Sequence, residues 1–303
     1  MRSDRRCWRT AGLLLFFCFR FFSAGACAAE PAEAKVGVLV LAHGGDQQWN
    51  AEVENAVRNA HLDQPVEINF GMGMMPNEVD AIQQAVDRLE KRGAASIIAV
   101  PLLVSSYSSV YRQYEYLFGL RKESSWPEHR HAVRPLRIHP GISVRLGRAL
   151  DDSPLVAQIL LERSIDLSKD PSREAIVIVA HGPETEQENE AWLSSMEALG
   201  EKVRQFAGYA AVAVATLQDD APAKIRDAAT KQFREQVASL SVSYRVIVVP
   251  LLLSQGGIEK KIPKRLEGLS YAFSGETLLP SPQISLWLKQ QVDSQRSGAQ
   301  SSS

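Results

Sequence analysis

Short apolar runs alternate with amphipathic stretches along most of the chain. The first half contains apolar runs that predict buried strands at residues 35–42, 66–70, 95–104 and 131–138. Between them, residues 47–62 and 77–93 carry apolar side chains at helical spacing, and Gly93 is expected to cap the second helix. Strands that alternate with helices of this length predict a parallel sheet covered on both faces.

The second half repeats this order of elements. It predicts a strand, a helix, a strand, a helix and a strand at residues 175–182, 188–207, 209–217, 221–240 and 244–254. The runs SIIAVPLLVS and RVIVVPLLLS agree at six of ten positions, and each half closes on Ser-Pro followed by a helical stretch. The sequence therefore predicts an internal duplication that forms two similar α/β lobes, each a doubly wound parallel sheet, facing each other across a cleft.

The composition of local segments predicts a signal peptide, two lobes joined by a linker, and a tail. Residues 1–29 contain a basic start, an apolar run and a group of small residues, the pattern of an export signal peptide. We expect lobe 1 to span residues 35–168 and lobe 2 to span residues 172–292, with a polar, proline-containing linker at 167–172. The polar residues 293–303 predict a disordered tail.

The signal also bears on location and on cysteine chemistry. Its apolar run is shorter than the roughly 20 residues that span a bilayer, so we expect an exported, periplasmic protein with no transmembrane segment in the mature chain. Cys7, Cys18 and Cys27 are the three cysteines of the sequence, and all lie in this segment. An internal disulfide framework and a thiolate metal site are therefore excluded, while lipid modification of Cys27 stays an alternative to simple cleavage.

Charge and motif content exclude several classes of function. The formal net charge of −1 offers no basic excess for binding nucleic acid. The sequence contains no G-x-G-x-x-G fingerprint, no Walker loop and no G-x-S-x-G elbow, so we expect neither a nucleotide cofactor nor hydrolase chemistry. The oligomeric state is left open by these patterns.

One tripeptide, Ala-His-Gly, ends the first predicted strand of both halves, at residues 42–44 and 180–182. Ligands of open α/β sheets bind outside the carboxyl ends of the strands, where His43 and His181 are expected to lie. A neutral imidazole binds divalent metals and can also move protons. Gly44 and Gly182 would let the backbone turn sharply and leave room for a flat ligand. The alternative is a pair of histidines hydrogen-bonded in the core.

The order of these motifs resembles that of the class II tetrapyrrole chelatases, the sirohydrochlorin cobalto- and ferrochelatases. The shared features are a first strand that ends in A-H-G, a proline that opens the second helix, a third strand that reads V-V-P-L-L-L-S, and a closing helix that begins with proline. The resemblance covers about residues 35–292 and indicates the long, two-lobe form. It implies a tetrapyrrole partner and a divalent metal, cobalt or iron, as substrate. His43 and His181 would then serve as metal ligand and proton acceptor.

The chain departs from the family pattern at two positions. A second family histidine follows the third strand, and its matches here are Ser109 in lobe 1 and Gly257 or Ile258 in lobe 2. The acidic residue before the second helix is matched by Met72 and Gln218. Two functions therefore stay open, a chelatase and a non-catalytic exported protein that binds a tetrapyrrole or a metal. For both, we hypothesise that the two remaining histidines share a metal across the cleft.

Three further residues are candidates for the same site. Met72 could border a flat tetrapyrrole or bind its iron, or could simply pack. Glu184 could hand over a metal cation, although acidic residues also favour the first turn of a helix. Lys260, in the basic stretch 259–265, could meet the carboxylates of sirohydrochlorin, or could belong to a solvated helix face.

Overall fold

The computed structural model describes residues 35–126, 128 and 133–300, and within them seven strands form two parallel sheets. The predicted signal peptide, with its three cysteines, lies outside the described residues, and so do residues 301–303. The strands are β1 (Val36–Ala42), β2 (Val66–Phe70), β3 (Ser96–Leu102), β4 (Ser143–Leu146), β5 (Glu174–Ala180), β6 (Ala211–Thr216) and β7 (Arg245–Leu251). No described helix is long and apolar enough to cross a membrane.

The sheets have matching topologies. In lobe 1 the strand order is β2-β1-β3-β4, and in lobe 2 it is β6-β5-β7, with every pair parallel. The helices are α1 (Gln47–Asn59), α2 (Pro76–Lys91), α3 (Ser109–Leu117), α4 (Pro154–Ile165), α5 (Glu186–Ala207), α6 (Ala223–Ser241), α7 (Lys261–Arg265) and α8 (Pro282–Gln300). The two predicted parallel-sheet lobes are confirmed.

Alternate residues of each first strand face different cores. Leu39 and Leu41 of β1 pack with α2 and α3 on the outer side of lobe 1, and Val177 and Val179 of β5 pack with α6 and α7 on the outer side of lobe 2. The intervening residues of both strands belong to one continuous apolar cluster between the two sheets. The predicted linker at 167–172 therefore separates two repeats that share a central core.

The closing helices bind the two lobes together. Helix α4, at the end of lobe 1, packs against α5 and β7 of lobe 2. Helix α8, at the end of lobe 2, packs against α1 and β3 of lobe 1. Each lobe therefore completes the covering of the other lobe's sheet.

Two expectations about the elements are wrong. Residues 133–138 do not form a strand, and 131–132 lie outside the described residues. Their backbone instead bonds to helices: the Leu136 N–H donates to the Leu117 carbonyl, and the Tyr116 hydroxyl donates to the Val133 carbonyl. The fourth strand comes later, as β4.

The tail is also more ordered than its composition predicts. Residues 293–300 continue helix α8 instead of forming a disordered end. Lys289 and Asp293 are one helical turn apart and form an ion pair, and Arg145 donates to the Gln295 carbonyl. The second contact joins this polar stretch to lobe 1.

Candidate functional site

The two repeated histidines have the same local geometry. His43 follows β1 and His181 follows β5, and each Nδ1 lies 2.8 Å from the carbonyl oxygen of the next residue, Gly44 or Gly182. A carbonyl oxygen can only accept, so each Nδ1 carries the proton in this hydrogen bond. In the neutral ring each Nε2 then carries the lone pair, which suits a metal ligand or a proton acceptor.

The glycines of the tripeptide are required by the backbone. Gly44 and Gly182 have φ values of +86° and +78°, a region that L side chains rarely adopt. A Cβ on Gly182 would lie 2.6 Å from the Thr216 Cβ, and one on Gly44 would lie 3.1 Å from the Phe70 Cβ. The space that a side chain at either glycine would need is thus occupied by the residue that ends the neighbouring strand.

A cavity of about 450 Å³ lies at the carboxyl ends of both sheets. Six of the seven predicted site residues line it: His43, Gly44, Met72, His181, Gly182 and Glu184. A larger cavity of about 750 Å³, between α1 and the start of α8, is lined by none of the predicted residues. The smaller cavity is therefore the candidate site.

Tryptophans from both lobes form much of the apolar wall of this cavity. Trp49, Trp126 and Trp192 line it together with leucines that follow β3 and β7. The Trp192 indole N–H donates to the Tyr107 carbonyl at 3.0 Å, which fixes the ring of a lobe 2 residue against lobe 1. Large, rigid aromatic faces suit a flat, apolar ligand ring.

A carboxylate that sequence reasoning missed lies beside His181. The Asp220 Oδ2 is 3.3 Å from the His181 Nε2, and Asp220 also lines the cavity. One ligand atom each of His181, Asp219 and Asp220 lie within 4.8 Å of one another. The signal in the sequence was the pair Asp219 and Asp220 after the second predicted strand of lobe 2. The two aspartates directly follow Gln218, which matches the acidic residue of the family.

An unusual backbone conformation directs these aspartates. Gln218 has a φ of +44°, and its N–H donates to the His181 carbonyl at 2.7 Å. Its side chain also donates to the Pro183 carbonyl at 3.4 Å. The turn that carries Asp219 and Asp220 is therefore tied to the segment that carries His181.

Asp219 has cationic partners that Asp220 does not share. Lys261 donates to its Oδ2, and Arg265 donates to its Oδ1 at 2.5 Å. Burial alone would raise the pKa of Asp219, but the hydrogen bonds from Lys261 and Arg265 outweigh it and hold this pKa below its usual value. Asp219 is thus an ionised side chain whose charge is already compensated.

The matching turn of lobe 1 has different chemistry. Residues 71–75 contain three methionines and no carboxylate. The Glu78 carboxylate, in the helix that follows, accepts from the backbone N–H groups of Met74 and Met75 at 2.9 and 3.1 Å. It therefore caps α2. Among the described residues, the group of possible metal ligands that lie close together consists of His181, Asp219 and Asp220, all in lobe 2. A metal shared by His43 and His181 therefore stays a prediction.

The positions of the missing second histidine have taken other roles. Ser109 begins α3, and its hydroxyl donates to the Glu188 carboxylate of lobe 2 at 3.2 Å. Arg112 of α3 forms an ion pair with the same carboxylate. In lobe 2, Ile258 adds apolar surface to the cavity. Ser109 thus contributes to a polar contact between the lobes.

Lys260 is the predicted site residue that the structure does not bring to the cavity. It is exposed at the start of α7 and is absent from the cavity lining. The next residue of the same basic stretch, Lys261, is the one that contacts the aspartate turn. The positive charge of residues 259–265 is visible in the sequence, but which lysine contacts the aspartate turn depends on the fold.

The sequence model of the CbiX family matches this chain twice, over residues 37–167 and 175–295. The sirohydrochlorin cobaltochelatase of Methanococcoides burtonii is 23% identical over 133 residues, which cover 44% of this chain and 97% of that protein. Nearly the whole of this relative therefore corresponds in length to one of the two repeats of the chain.

Two solved structures share the fold. SirB from Bacillus subtilis with Fe³⁺ has a TM-score of 0.64 at 15% identity, covering 88% of this chain and 98% of its own. CbiX, the terminal enzyme for biosynthesis of siroheme in denitrifying bacteria, has a TM-score of 0.50 at 13% identity, covering 85% and 98%. Because one family model matches both halves, the chain belongs to the CbiX family, within the class II tetrapyrrole chelatases, as its motif order predicted.

Proposed function

We propose that this protein inserts a divalent metal, Co²⁺ or Fe²⁺, into sirohydrochlorin or a related tetrapyrrole. The observation that carries the proposal is the pair formed by the His181 Nε2 and the Asp220 carboxylate on the wall of an aromatic cavity. The names of the relatives support the substrate class, since they are a sirohydrochlorin cobaltochelatase and an enzyme of siroheme biosynthesis.

Metal insertion requires a loosely held cation, a base for two pyrrole N–H protons, and a pocket that orients the ring. Asp220 is 69% exposed and can collect a cation from solvent, and the lone pair of the His181 Nε2 can complete its coordination. Imidazole nitrogen with carboxylate oxygen suits divalent cobalt and iron. The tryptophan walls would hold the macrocycle against this pair and exclude water from it.

Lobe 1 offers a proton acceptor. His43 lines the same cavity from lobe 1, and its Nε2 forms no ion pair within the described residues, whereas the Nε2 of His181 lies 3.3 Å from the Asp220 carboxylate. We assign His43 to accepting the two pyrrole protons in turn, each passed on to water from its exposed ring, and the His181–Asp220 pair to the metal. One imidazole per lobe then suffices for the two roles.

Metallation can be followed as the absorbance change of sirohydrochlorin mixed with Co²⁺ and the mature protein. We expect His181→Ala and Asp220→Asn each to lower kcat/KM by about 100-fold or more, because each removes one half of the metal pair. His43→Ala removes the proton acceptor but no metal ligand, so we expect kcat to fall by about 100-fold with the KM for Co²⁺ unchanged.

Glu186→Gln is the matched control, because it removes an exposed carboxylate from the first turn of α5 and should keep wild-type activity. If His43→Ala also raised the KM for Co²⁺, as loss of a metal ligand would, the metal centre would not belong to lobe 2 alone. That result would instead favour a metal shared by the two imidazoles.

A non-catalytic carrier of a tetrapyrrole or metal is the second candidate. Its support is that Ser109, which matches the family's second histidine, donates to the Glu188 carboxylate and offers no imidazole to a metal. The same absorbance experiment separates the two functions. Stoichiometric binding without acceleration over the spontaneous metallation rate identifies a carrier, and multiple turnovers identify the enzyme.

We also propose that the protein acts outside the cytoplasm, in the periplasm. The support is the order of basic, apolar and small residues in positions 1–29. Cell fractionation with a mass measurement of the mature protein tests this, since a full-length cytoplasmic product would contradict it. A mass increase at Cys27 would indicate lipid modification instead of simple cleavage.

A further inference from the structure

Asp219 lies close enough to His181 and Asp220 to bind a metal with them, but it already forms ion pairs with Lys261 and Arg265. Its carboxylate oxygen lies within 4.8 Å of ligand atoms of His181 and Asp220. At the same time both of its oxygens accept from cations, one from Lys261 and one from Arg265. A divalent metal bound by the other two residues would therefore meet a carboxylate that already holds an ammonium group.

The two cations differ in how firmly they are held. Arg265 is only 12% exposed, and its guanidinium also donates to the Leu217 carbonyl at 3.1 Å and to the Thr230 hydroxyl. Lys261 is 47% exposed, and Asp219 is its ion-pair partner among the described side chains. A lysine ammonium on a flexible stem can leave a carboxylate and return to it, whereas a guanidinium with three acceptors is fixed.

We propose that Lys261 is a tethered ammonium that competes with the divalent metal for Asp219 and so keeps the metal loosely held before insertion. The proposal rests on the function proposed above and specifies how the same site regulates its affinity. When the metal binds, the Lys261 N–H···O hydrogen bond to Asp219 breaks and a metal–oxygen bond can form. When the metal passes to the macrocycle nitrogens, that bond breaks and the hydrogen bond forms again.

The physical basis is the repulsion between a single and a double positive charge at short range. Water screens part of this repulsion because the ammonium is half exposed. Arg265 keeps Asp219 in place and ionised in either state, so loss of Lys261 should leave the ligand geometry intact. The lysine would then change the metal affinity without changing the set of ligands.

The test is calorimetric titration of the protein with Co²⁺ alone. We expect Lys261→Met to tighten the dissociation constant by about tenfold and Lys261→Arg, which keeps the charge, to stay within about twofold of wild type. Lys264→Met is the control, because it removes an exposed charge from the same short helix. Adding Asp220→Asn to Lys261→Met should abolish the tight binding.

Turnover provides a second readout. Lys261→Met should lower the KM for Co²⁺ and also lower kcat, because a metal held more tightly leaves the site more slowly. An unchanged or weaker Co²⁺ affinity in Lys261→Met would overturn the proposal, as would equal tightening in Lys264→Met. Absence of Co²⁺ binding in both wild type and Lys261→Met would overturn it too. Tighter Co²⁺ binding by Lys261→Met without turnover in any variant would contradict the enzymatic function, but it would still support competition between Lys261 and the metal for Asp219.

Discussion

At the scale of single residues, the repeated histidines owe their orientation to the glycines that follow them. The positive φ of Gly182 turns its carbonyl oxygen toward the Nδ1 of His181, and this contact leaves the Nε2 lone pair for chemistry. The same arrangement at His43 shows that the duplication preserved the imidazole geometry. The carboxylate partner was not preserved, because Asp220 has no counterpart in residues 71–75.

Gly182→Ala should destabilise the protein by about 2–4 kcal/mol, because it combines a strained φ with overlap between its Cβ and Thr216. Gly208→Ala is the matched control: its φ is +75°, but a Cβ there would meet nothing within 4 Å. That control should cost about 1 kcal/mol. Urea unfolding measures both values, and equal losses would show that contact with Thr216 is unimportant.

At the scale of elements, the sequence pattern predicted most helices and strands but not how they are shared between the lobes. The order of elements followed from the alternation of apolar periods, which is a local property. Helix α3 was not predicted, and residues 133–138 were assigned to a strand that they do not form. In both cases long-range contacts decide the structure, such as the hydrogen bond between Leu136 and Leu117.

Trp287→Ala tests the shared packing of α8. Trp287 is buried in the central cluster, so its loss should cost about 3–5 kcal/mol. Leu286→Ala, at the neighbouring exposed position, should cost less than about 1 kcal/mol. Because the cluster includes residues of both sheets, we expect calorimetry of Trp287→Ala to show one lowered transition for the whole fold. Two separate transitions would contradict a common core.

At the scale of the whole molecule, one buried carboxylate holds the connection between the two repeats. Glu174 begins β5 and accepts from the Ser168 hydroxyl, from the Lys169 N–H at 2.9 Å and from Arg245 at 2.6 Å. Burial alone would raise the pKa of Glu174, but these hydrogen bonds outweigh it, and the pKa lies below its usual value. The ionised Glu174 carboxylate therefore anchors the predicted linker, residues 167–172, to the first strand of lobe 2.

This anchor predicts a dependence of stability on pH. A carboxyl whose pKa is lowered by folding stabilises the fold fully above the unfolded-state pKa of about 4.3, and the contribution is lost as the pH falls through the folded-state value. We expect the free energy of unfolding to fall less steeply below about pH 4.3 in Glu174→Gln than in wild type. Urea unfolding at a series of pH values measures this, and identical slopes would refute the assignment.

The sequence by itself determined the fold class, the duplication and the edge of the sheets at which the histidines lie. These follow from periodicity and from repeated motifs, which are readable in a single chain. It also identified six residues that line one cavity, His43, Gly44, Met72, His181, Gly182 and Glu184, because strand ends of a parallel sheet meet at one edge.

Only the tertiary structure decided which groups act together there. The pairing of His181 with Asp220, the compensation of Asp219 by Lys261, and the use of Ser109 to contact Glu188 all join residues from different elements. Such contacts depend on loop conformations, for example the positive φ of Gln218, that no periodic pattern encodes. The physical reason is that strand and helix periods are set by near neighbours, whereas a site is set by distances between segments that only folding brings together.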